Sequence, residues 1–274
     1  VVVFSPFYEN YGADAILSGA EPIYVPLVPP AFSFDPNVLE DAFRQPGVKA
    51  LILCNPSNPS GKVFTREELT IIADLAKKYD LYVITDEVYE HILYKPHEHV
   101  YMATLPGMRE RTIICSSLSK TYSITGWRIG YVIASPDITE RVKKVHDFLT
   151  IGAAAPLMEA VVVGLKFGDE YYEELQQHYT HMKELFCKGL RNIGLSFVEP
   201  QGAYYVMVDI SEFGYGNDYD FAVDLARKVG VGSVPGSSFF KEDDHDYVRI
   251  HFAKKDETLK AALDRLAEIR NKMK

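Results

Sequence analysis

The sequence predicts an α/β protein with a mostly parallel sheet flanked by helices, followed by a smaller α+β domain. Short apolar, β-branched runs alternate with helical patterns through the first half of the chain, which is typical of parallel strands joined by helices. From about residue 138 to residue 192 the pattern is predominantly helical. From about residue 195 strand-like runs return, and they indicate the second domain.

The individual elements follow from local signals. The predicted strands of the large sheet are residues 1–4, 22–25, 50–54, 82–85, 112–116 and 130–134. One connecting helix begins after Thr65, because Glu68 three residues later completes a capping box, and it ends near Tyr79. The helical region is interrupted near residues 152–156, and runs 204–208 and 247–252 are strands of the second domain. We therefore expect a large domain (1–140), a helical connection (141–192) and a small C-terminal domain (193–274).

Composition narrows the class of function. The chain has 274 residues, 47% of them apolar, and a formal net charge of -9 without any block of Lys or Arg. This pattern argues against a nucleic acid or an anionic membrane as partner and favours a small-molecule substrate. No run approaches the roughly 18 apolar residues of a spanning helix. Cys54, Cys115 and Cys187 are expected to be structural thiols in the reducing cytoplasm, the first two in buried strands.

The strongest chemical signal is the segment 117–130, SLSKTYSITGWRIG. Lys120 stands just past a predicted buried strand, where loss of hydration lowers its pKa and leaves a neutral amine able to condense with an aldehyde. The hydroxyls of Ser117 and Ser119 and the guanidinium of Arg128 suit a phosphate dianion. An ordinary exposed loop lysine is the alternative that this segment alone leaves open, because lysines are almost always solvated.

This segment resembles the cofactor-lysine motif of the class I and II aminotransferases, pyridoxal-phosphate enzymes of fold type I. Three further segments resemble motifs of the same family: NPSNPSGK at 55–62, TDEVYE at 85–90 and YVRIHFA at 247–253. The four motifs stand in the family's order. The resemblance covers essentially the whole chain.

The resemblance implies roles for individual residues around pyridoxal 5'-phosphate. Lys120 is expected to hold the cofactor as a Schiff base and to act as general acid and base. Asp86 is expected to bond the pyridine nitrogen and keep it protonated. Tyr89 and Asn58 match the residues that hydrogen-bond the cofactor's phenolate oxygen.

The phosphate and the substrate have their own implied partners. Arg128, Ser117 and Ser119 are expected to hold the phosphate. Arg249 is expected to clamp the substrate's α-carboxylate with two parallel hydrogen bonds, a geometry that Lys does not reproduce. Trp127 is expected to pack in the core.

Tyr8 aligns with the aromatic residue that stacks on the pyridine ring, and Phe7 is the alternative.

The implied reaction is transamination between an L-amino acid and a 2-oxo acid. The resemblance also implies a cytoplasmic homodimer that acts in amino acid metabolism. The substrate is not specified by these motifs, although a broad neutral or aromatic range is favoured.

Two other classes share parts of this pattern. β-Lyases of the same fold usually carry His where Tyr89 stands, and aminocyclopropane-carboxylate synthases depart from residues 125–128. Transcription regulators with an aminotransferase-like sensor domain carry Pro-x-His-Gln-x-Pro-x-Gly at the position of residues 55–61, and no DNA-binding helical module is visible in this sequence. These departures favour transamination.

A metal site and a dinucleotide site are less well supported. His91, His97, Glu98 and His99 lack the i,i+4 histidine spacing of zinc sites on helices, so no metal is expected. The series Gly230, Gly232 and Gly236 does not follow the spacing Gly-x-Gly-x-x-Gly and does not lead into a helix.

The start of the chain carries one further expectation. The family's first large-domain strand and the following helix, whose N-terminus binds the phosphate, have no counterpart here. We therefore expect an N-terminally incomplete large domain in which the strand at 130–134 is unpaired on one side or paired with another chain. We also expect reduced cofactor affinity and poor catalysis for the isolated fragment.

Overall fold

The computed structural model describes residues 1–273 and contains two sheets. The strands of the larger sheet are Val2–Ser5 (β1), Ile23–Pro26 (β2), Ala50–Cys54 (β3), Tyr82–Asp86 (β4), Thr112–Ser117 (β5) and Gly130–Ile133 (β6). Their order is β2-β1-β3-β4-β5-β6, and all pairs among β1 to β5 are parallel. The predicted mostly parallel α/β fold is confirmed.

The carboxyl ends of the parallel strands meet at one edge of this sheet. Cys54 at the end of β3 lies opposite Asp86 at the end of β4, and Asp86 lies opposite Cys115 in β5. Open α/β sheets bind their ligands at this edge. The register therefore brings side chains of three strands to one place.

Three helices accompany the first strands: Asn10–Leu17 (α1), Pro36–Arg44 (α2) and Arg66–Lys78 (α3). α3 begins as predicted, because the Glu68 backbone N–H donates to Thr65 Oγ1 and Glu68 Oε2 accepts from the Thr65 N–H. Losing such a cap costs about 1 kcal/mol. The helix ends at Tyr79 and buries an apolar stripe against the sheet: Leu69, Ile72, Ala73 and Ala76.

Strand β6 differs from the other five. It runs antiparallel to β5, and within residues 1–273 it has no partner on its other side, as expected. All four of its residues are exposed, Ile133 to 57%. The helices that flank the sheet therefore leave this edge strand accessible within residues 1–273.

The short helix Leu118–Thr121 (α4) lies between β5 and β6. The predominantly helical region consists of Pro136–Leu149 (α5), Ala155–Gly164 (α6) and Asp169–Ile193 (α7). The predicted interruption near 152–156 corresponds to the loop between α5 and α6. None of the helices in residues 1–273 combines the length and the apolar character that a membrane crossing requires.

The smaller sheet is antiparallel and follows α7. Its strands are Phe197–Val198 (β7), Tyr205–Asp209 (β8), Val234–Pro235 (β9) and Tyr247–His251 (β10), in the order β7-β8-β10-β9. Its helices are Asp218–Asp224 (α8), Asp256–Leu266 (α9) and Ile269–Lys272 (α10). Its core also contains Tyr89, Ile92 and Tyr94, so the segment after β4 packs against this second unit. The domain limits at 140 and 192 stay a prediction, and Lys274 lies outside the described residues.

Candidate active site

A cavity of about 390 Å³ lies at the carboxyl ends of β3, β4 and β5. All nine site residues predicted from the sequence line it: Tyr8, Asn58, Asp86, Tyr89, Ser117, Ser119, Lys120, Arg128 and Arg249. They come from distant parts of the chain, and Arg249 belongs to the second sheet. The fold therefore brings the predicted residues together in one place.

Lys120 lies in the short helix α4, directly after β5. The helix is capped by Ser117, whose Oγ accepts from the Ser119 N–H at 3.1 Å. Lys120 Nζ lies 3.4 Å from Thr125 Oγ1 and 6.0 Å from the centre of the Tyr204 ring. Burial lowers the pKa of Lys120, the positive charge of Arg128 lowers it further, and Asp86 opposes both. A lowered pKa raises the fraction of neutral, nucleophilic amine.

Asp86 forms the floor of the cavity. Tyr11 donates its hydroxyl hydrogen to Asp86 Oδ2 at 2.6 Å, and the Val88 N–H donates to Oδ1 at 3.2 Å. Burial raises the pKa of Asp86, and these hydrogen bonds and the charge of Lys120 offset only part of that effect. An ionised carboxylate here is therefore best stabilised by a ligand that places a positive charge beside it.

Two hydroxyls and one guanidinium cluster beside Lys120. Ser117 Oγ lies 2.6 Å from Ser119 Oγ. Arg128 has a φ of 57°, a left-handed conformation that costs a non-glycine residue about 1–3 kcal/mol and occurs often at functional sites. Its Nη1 donates to the Thr125 carbonyl at 3.1 Å. Hydroxyl donors next to a guanidinium form a suitable site for a phosphate.

Arg249 lines the cavity from β10 of the second sheet. Its guanidinium lies over the rings of Tyr205 and Phe239, at 4.4 and 4.3 Å from their centres. Its Nη1 donates to Asn58 Oδ1 at 2.5 Å. These three contacts restrain the guanidinium, whose planar fork suits a carboxylate.

The structure distinguishes Tyr8 from Phe7, the two candidates for the aromatic residue that stacks on the pyridine ring. Tyr8 is 36% exposed and lines the cavity, whereas Phe7 stacks on Tyr24 at 5.0 Å and does not line it. Tyr89 is 3% exposed, and its hydroxyl lies 2.8 Å from the Tyr205 hydroxyl. Burial raises the pKa of Tyr89, so this group stays a neutral hydrogen-bonding hydroxyl.

Two expectations about non-catalytic residues are corrected. The sequence places Cys54 and Cys115 in buried strands, yet both free thiols are partly exposed and line the cavity beside Asp86. Burial raises the pKa of the Cys115 thiol to about 11, so the thiol remains protonated near neutral pH. Trp127 is 37% exposed rather than in the core, because its 3-10 turn at Thr125–Trp127 lies at the surface.

Three tyrosines near the site are missed by the sequence analysis. Tyr11 lies in the first turn of α1, and its N–H donates to the carbonyl of Tyr8, which precedes the helix, at 3.0 Å. The rings of the two tyrosines meet edge-on at 5.7 Å. Tyr205 stands two residues from Met207, the residue opposite Arg249, and therefore shares its face of the sheet. Tyr171 donates to the Thr121 carbonyl at 2.7 Å and so ties α7 to the Lys120 helix. No local sequence signal indicates that last contact.

The side chains present fit pyridoxal phosphate. The buried Asp86 carboxylate suits a protonated ring nitrogen, and the half-buried Lys120 amine suits an aldehyde. The cluster of Ser117, Ser119 and Arg128 suits the phosphate. Within residues 1–273, no group of three or more His, Cys, Asp or Glu side chains is arranged to hold a metal.

Comparison with known proteins identifies aminotransferases as relatives of this chain. The family model described as aminotransferase class I and II matches residues 1–266. Kynurenine–oxoglutarate transaminase 3 of Mus musculus is 34% identical over 292 residues, which cover 96% of this chain and 64% of that protein. The chain thus spans about two thirds of the length of this relative.

Two solved structures are similar over the same region. N-succinyldiaminopimelate aminotransferase from Mycobacterium tuberculosis superposes with a TM-score of 0.93 at 34% identity, covering 97% of this chain and 70% of that one. The aromatic aminotransferase from Pyrococcus horikoshii gives a TM-score of 0.92 at 33% identity, covering 100% of this chain and 74% of that one.

Proposed function

The chain belongs to the class I and II aminotransferase family, and from this premise we propose that the whole protein transfers an amino group from an L-amino acid to a 2-oxo acid. The observation that carries the proposal is the convergence of Lys120, Asp86 and Arg249 in one cavity. Pyridoxal phosphate, when bound, supplies an aldehyde for a covalent bond to an amine and a ring that accepts electrons from the substrate's Cα.

The residues of the chain divide this work. Lys120 anchors the cofactor and moves a proton at the substrate's Cα, because a lysine with a lowered pKa serves as a base near neutral pH. Asp86 keeps the ring nitrogen protonated. Tyr89 and Asn58, which also line the cavity, would hydrogen-bond the oxygen on the ring, and Tyr8 would cover its face.

The phosphate and the substrate carboxylate would be held by separate groups of residues. Ser117, Ser119 and Arg128 would hold the phosphate with charge-assisted hydrogen bonds. Arg249 would bind the α-carboxylate with its planar guanidinium.

The amino donor that we propose is a neutral or aromatic amino acid. Within residues 1–273, three cationic side chains line the cavity, namely Lys120, Arg128 and Arg249, and each already has a role. A second substrate carboxylate would need a further cation. The aromatic rings of Tyr8 and Tyr205 instead offer apolar surface.

Absorption spectroscopy tests this proposal. The whole protein loaded with pyridoxal phosphate is mixed in turn with phenylalanine, leucine and aspartate, and the loss of its visible band is followed. We expect phenylalanine and leucine to convert the band at lower concentrations than aspartate and to yield 2-oxo acids in the presence of an acceptor. Release of ammonia without any acceptor would indicate elimination and contradict transamination.

We also propose that the protein is a cytoplasmic homodimer. Three large apolar side chains at the end of α5 and just after it are strongly exposed: Phe148 at 90%, Leu149 at 79% and Ile151 at 84%. Burial of such a surface against a second copy is favourable. The three free cysteines suit a reducing compartment. Sedimentation analysis of the whole protein tests the dimer, and a monomer at micromolar concentration would contradict it.

A further inference from the structure

The turn that follows β4 contains residues that line the cavity and two acidic residues that do not. Asp86, Val88 and Tyr89 line the cavity, whereas Glu87 and Glu90 do not. The carboxylates of Glu87 and Glu90 contact a polar cluster, which we call the rear cluster and define as Glu87, Glu90, His99, Tyr101, Ser116 and Tyr131. Of these six residues, Ser116 also lines the cavity. The same short turn thus carries site residues on one side and paired acids on the other.

Glu87 is the more deeply buried of the two acids. Its side chain is 1% exposed, and its Oε2 lies 2.6 Å from Nε2 of His99, whose side chain is 5% exposed. A carboxylate buried without a countercharge costs several kcal/mol. The contact is close but does not have hydrogen-bond geometry, and among residues 1–273 neither Glu87 Oε2 nor the two ring nitrogens of His99 have a hydrogen-bond partner. His99 is the one basic group within ion-pair distance of Glu87 among residues 1–273.

Glu90 is held by three hydroxyls from three parts of the chain. Tyr101 donates to its Oε2 at 2.7 Å, while Ser116 and Tyr131 each donate to its Oε1 at 3.0 Å. Ser116 belongs to β5 and directly precedes Ser117, and Tyr131 belongs to β6. Tyr101 also meets the His99 ring edge-on at 4.5 Å, which joins both halves of the rear cluster.

We infer that the rear cluster fixes the turn from behind, and that Glu87 and Glu90 are positioning residues for Asp86 and Tyr89. The inference rests on the proposed function. The backbone of Asp86 is held in the sheet, where its carbonyl accepts from the Asn55 N–H at 3.0 Å, but its carboxylate accepts two hydrogen bonds, and one of them comes from the Val88 N–H within the turn. A shift of the turn would therefore withdraw that donor from the carboxylate and displace Tyr89. A displacement of about 1 Å at a reacting centre can lower a rate by about a hundredfold.

Four variants of the whole protein loaded with pyridoxal phosphate test the inference. They are His99→Gln, Glu90→Ala, the double variant Glu87→Gln/His99→Gln, and Glu98→Gln as a matched control with an exposed neighbouring acid. The readouts are kcat, KM, the circular dichroism of the visible band, which reports ring orientation, and thermal unfolding of the cofactor-free protein.

His99→Gln and Glu90→Ala are expected to lower kcat by about tenfold to a hundredfold, with KM within about twofold, and to change the visible circular dichroism band. The double variant removes the buried charge together with its partner, so it should recover about tenfold in kcat relative to His99→Gln. Glu98→Gln should match the wild type in all readouts.

Two outcomes would overturn the inference in distinguishable ways. A lower melting temperature in His99→Gln and Glu90→Ala, with an unchanged visible band and unchanged kcat, would assign the rear cluster a purely structural role. That result would leave the proposed function intact. A wild-type protein without any visible band or turnover would instead remove the proposed function and the inference together.

Discussion

Two positions in the cavity, which we call the floor and the clamp, hold their charges by different means. At the floor, Asp86 accepts hydrogen bonds from Tyr11 and Val88, and burial raises the pKa of its carboxyl. At the clamp, Arg249 lies over two aromatic rings and donates to Asn58. The floor therefore controls whether a group is ionised, whereas the clamp around Arg249 controls how an ionised group is oriented.

This difference separates the expected effects of mutation. An arginine stays charged in any protein environment, so its surroundings only fix its direction. A buried carboxyl is ionised only if its partners favour that state. Changes at the floor should therefore alter turnover and its pH dependence, and changes at the clamp should alter substrate affinity.

Lys120 lines the same cavity, and its replacement is expected to have the largest effect. Lys120→Ala should abolish both the visible band of the cofactor and turnover, because the other lysines of residues 1–273 do not line the cavity. Lys78→Ala, on the exposed face of α3, is the control and should behave like the wild type. A cofactor bond reducible by borohydride in Lys120→Ala would place the covalent link elsewhere.

Asp86→Asn replaces the carboxylate at the floor by a neutral amide of nearly the same shape. The neutral amide does not keep the ring nitrogen protonated, so turnover should fall by about a thousandfold, or about 4 kcal/mol, while the cofactor stays bound. Steady-state kinetics and cofactor titration measure the two effects separately. Asp74→Asn on the surface of α3 serves as the control. Turnover equal to that of the wild type would make Asp86 a structural residue.

The floor and the clamp also differ in how well their residues can be predicted from the sequence. Asp86, Ser117, Ser119 and Lys120 lie in short segments at strand ends, where local spacing already indicates chemistry, and the cavity contains all of them. The surroundings of Arg249 join β8, β10 and the turn before Phe240, so they depend on the packing of distant segments.

Structural details that depend on packing could not be predicted in the same way. The hydroxyl of Tyr11 reaches Asp86 across 75 residues, and no periodicity within the chain indicates that contact. The exposure of β6 and of Trp127 likewise depends on what the neighbouring elements cover, whereas the sequence shows only their apolar character. An apolar side chain tends to be buried, but the sequence does not show which other part of the protein covers it.

Arg249→Lys tests the clamp, and its effect is expected to be smaller than that of Asp86→Asn. The lysine keeps the charge but loses the planar fork and its stacking on Tyr205 and Phe239. We expect KM for the amino acid to rise by about tenfold to a hundredfold, while the affinity for pyridoxal phosphate changes by less than about twofold. Substrate and cofactor titrations on one preparation compare the two. Equal losses for both ligands would place Arg249 at the cofactor rather than at the substrate.

Tyr11→Phe is the mildest change and probes the floor through a single hydrogen bond. The Tyr11 hydroxyl stabilises the ionised form of Asp86 and so lowers the pKa of that carboxyl, against the larger effect of burial. Without the hydroxyl the pKa of Asp86 should rise further, and the ionised form should be lost at a higher pH as the solution is acidified. The acid limb of kcat/KM should therefore move to higher pH, and kcat at neutral pH should fall by about tenfold, in keeping with the loss of one hydrogen bond to a charged group. Phe7→Tyr places a new hydroxyl beside Tyr24, outside the cavity, and serves as the control. An acid limb that stays in place in Tyr11→Phe, or moves to lower pH, would show that Tyr11 does not stabilise the charge at the floor.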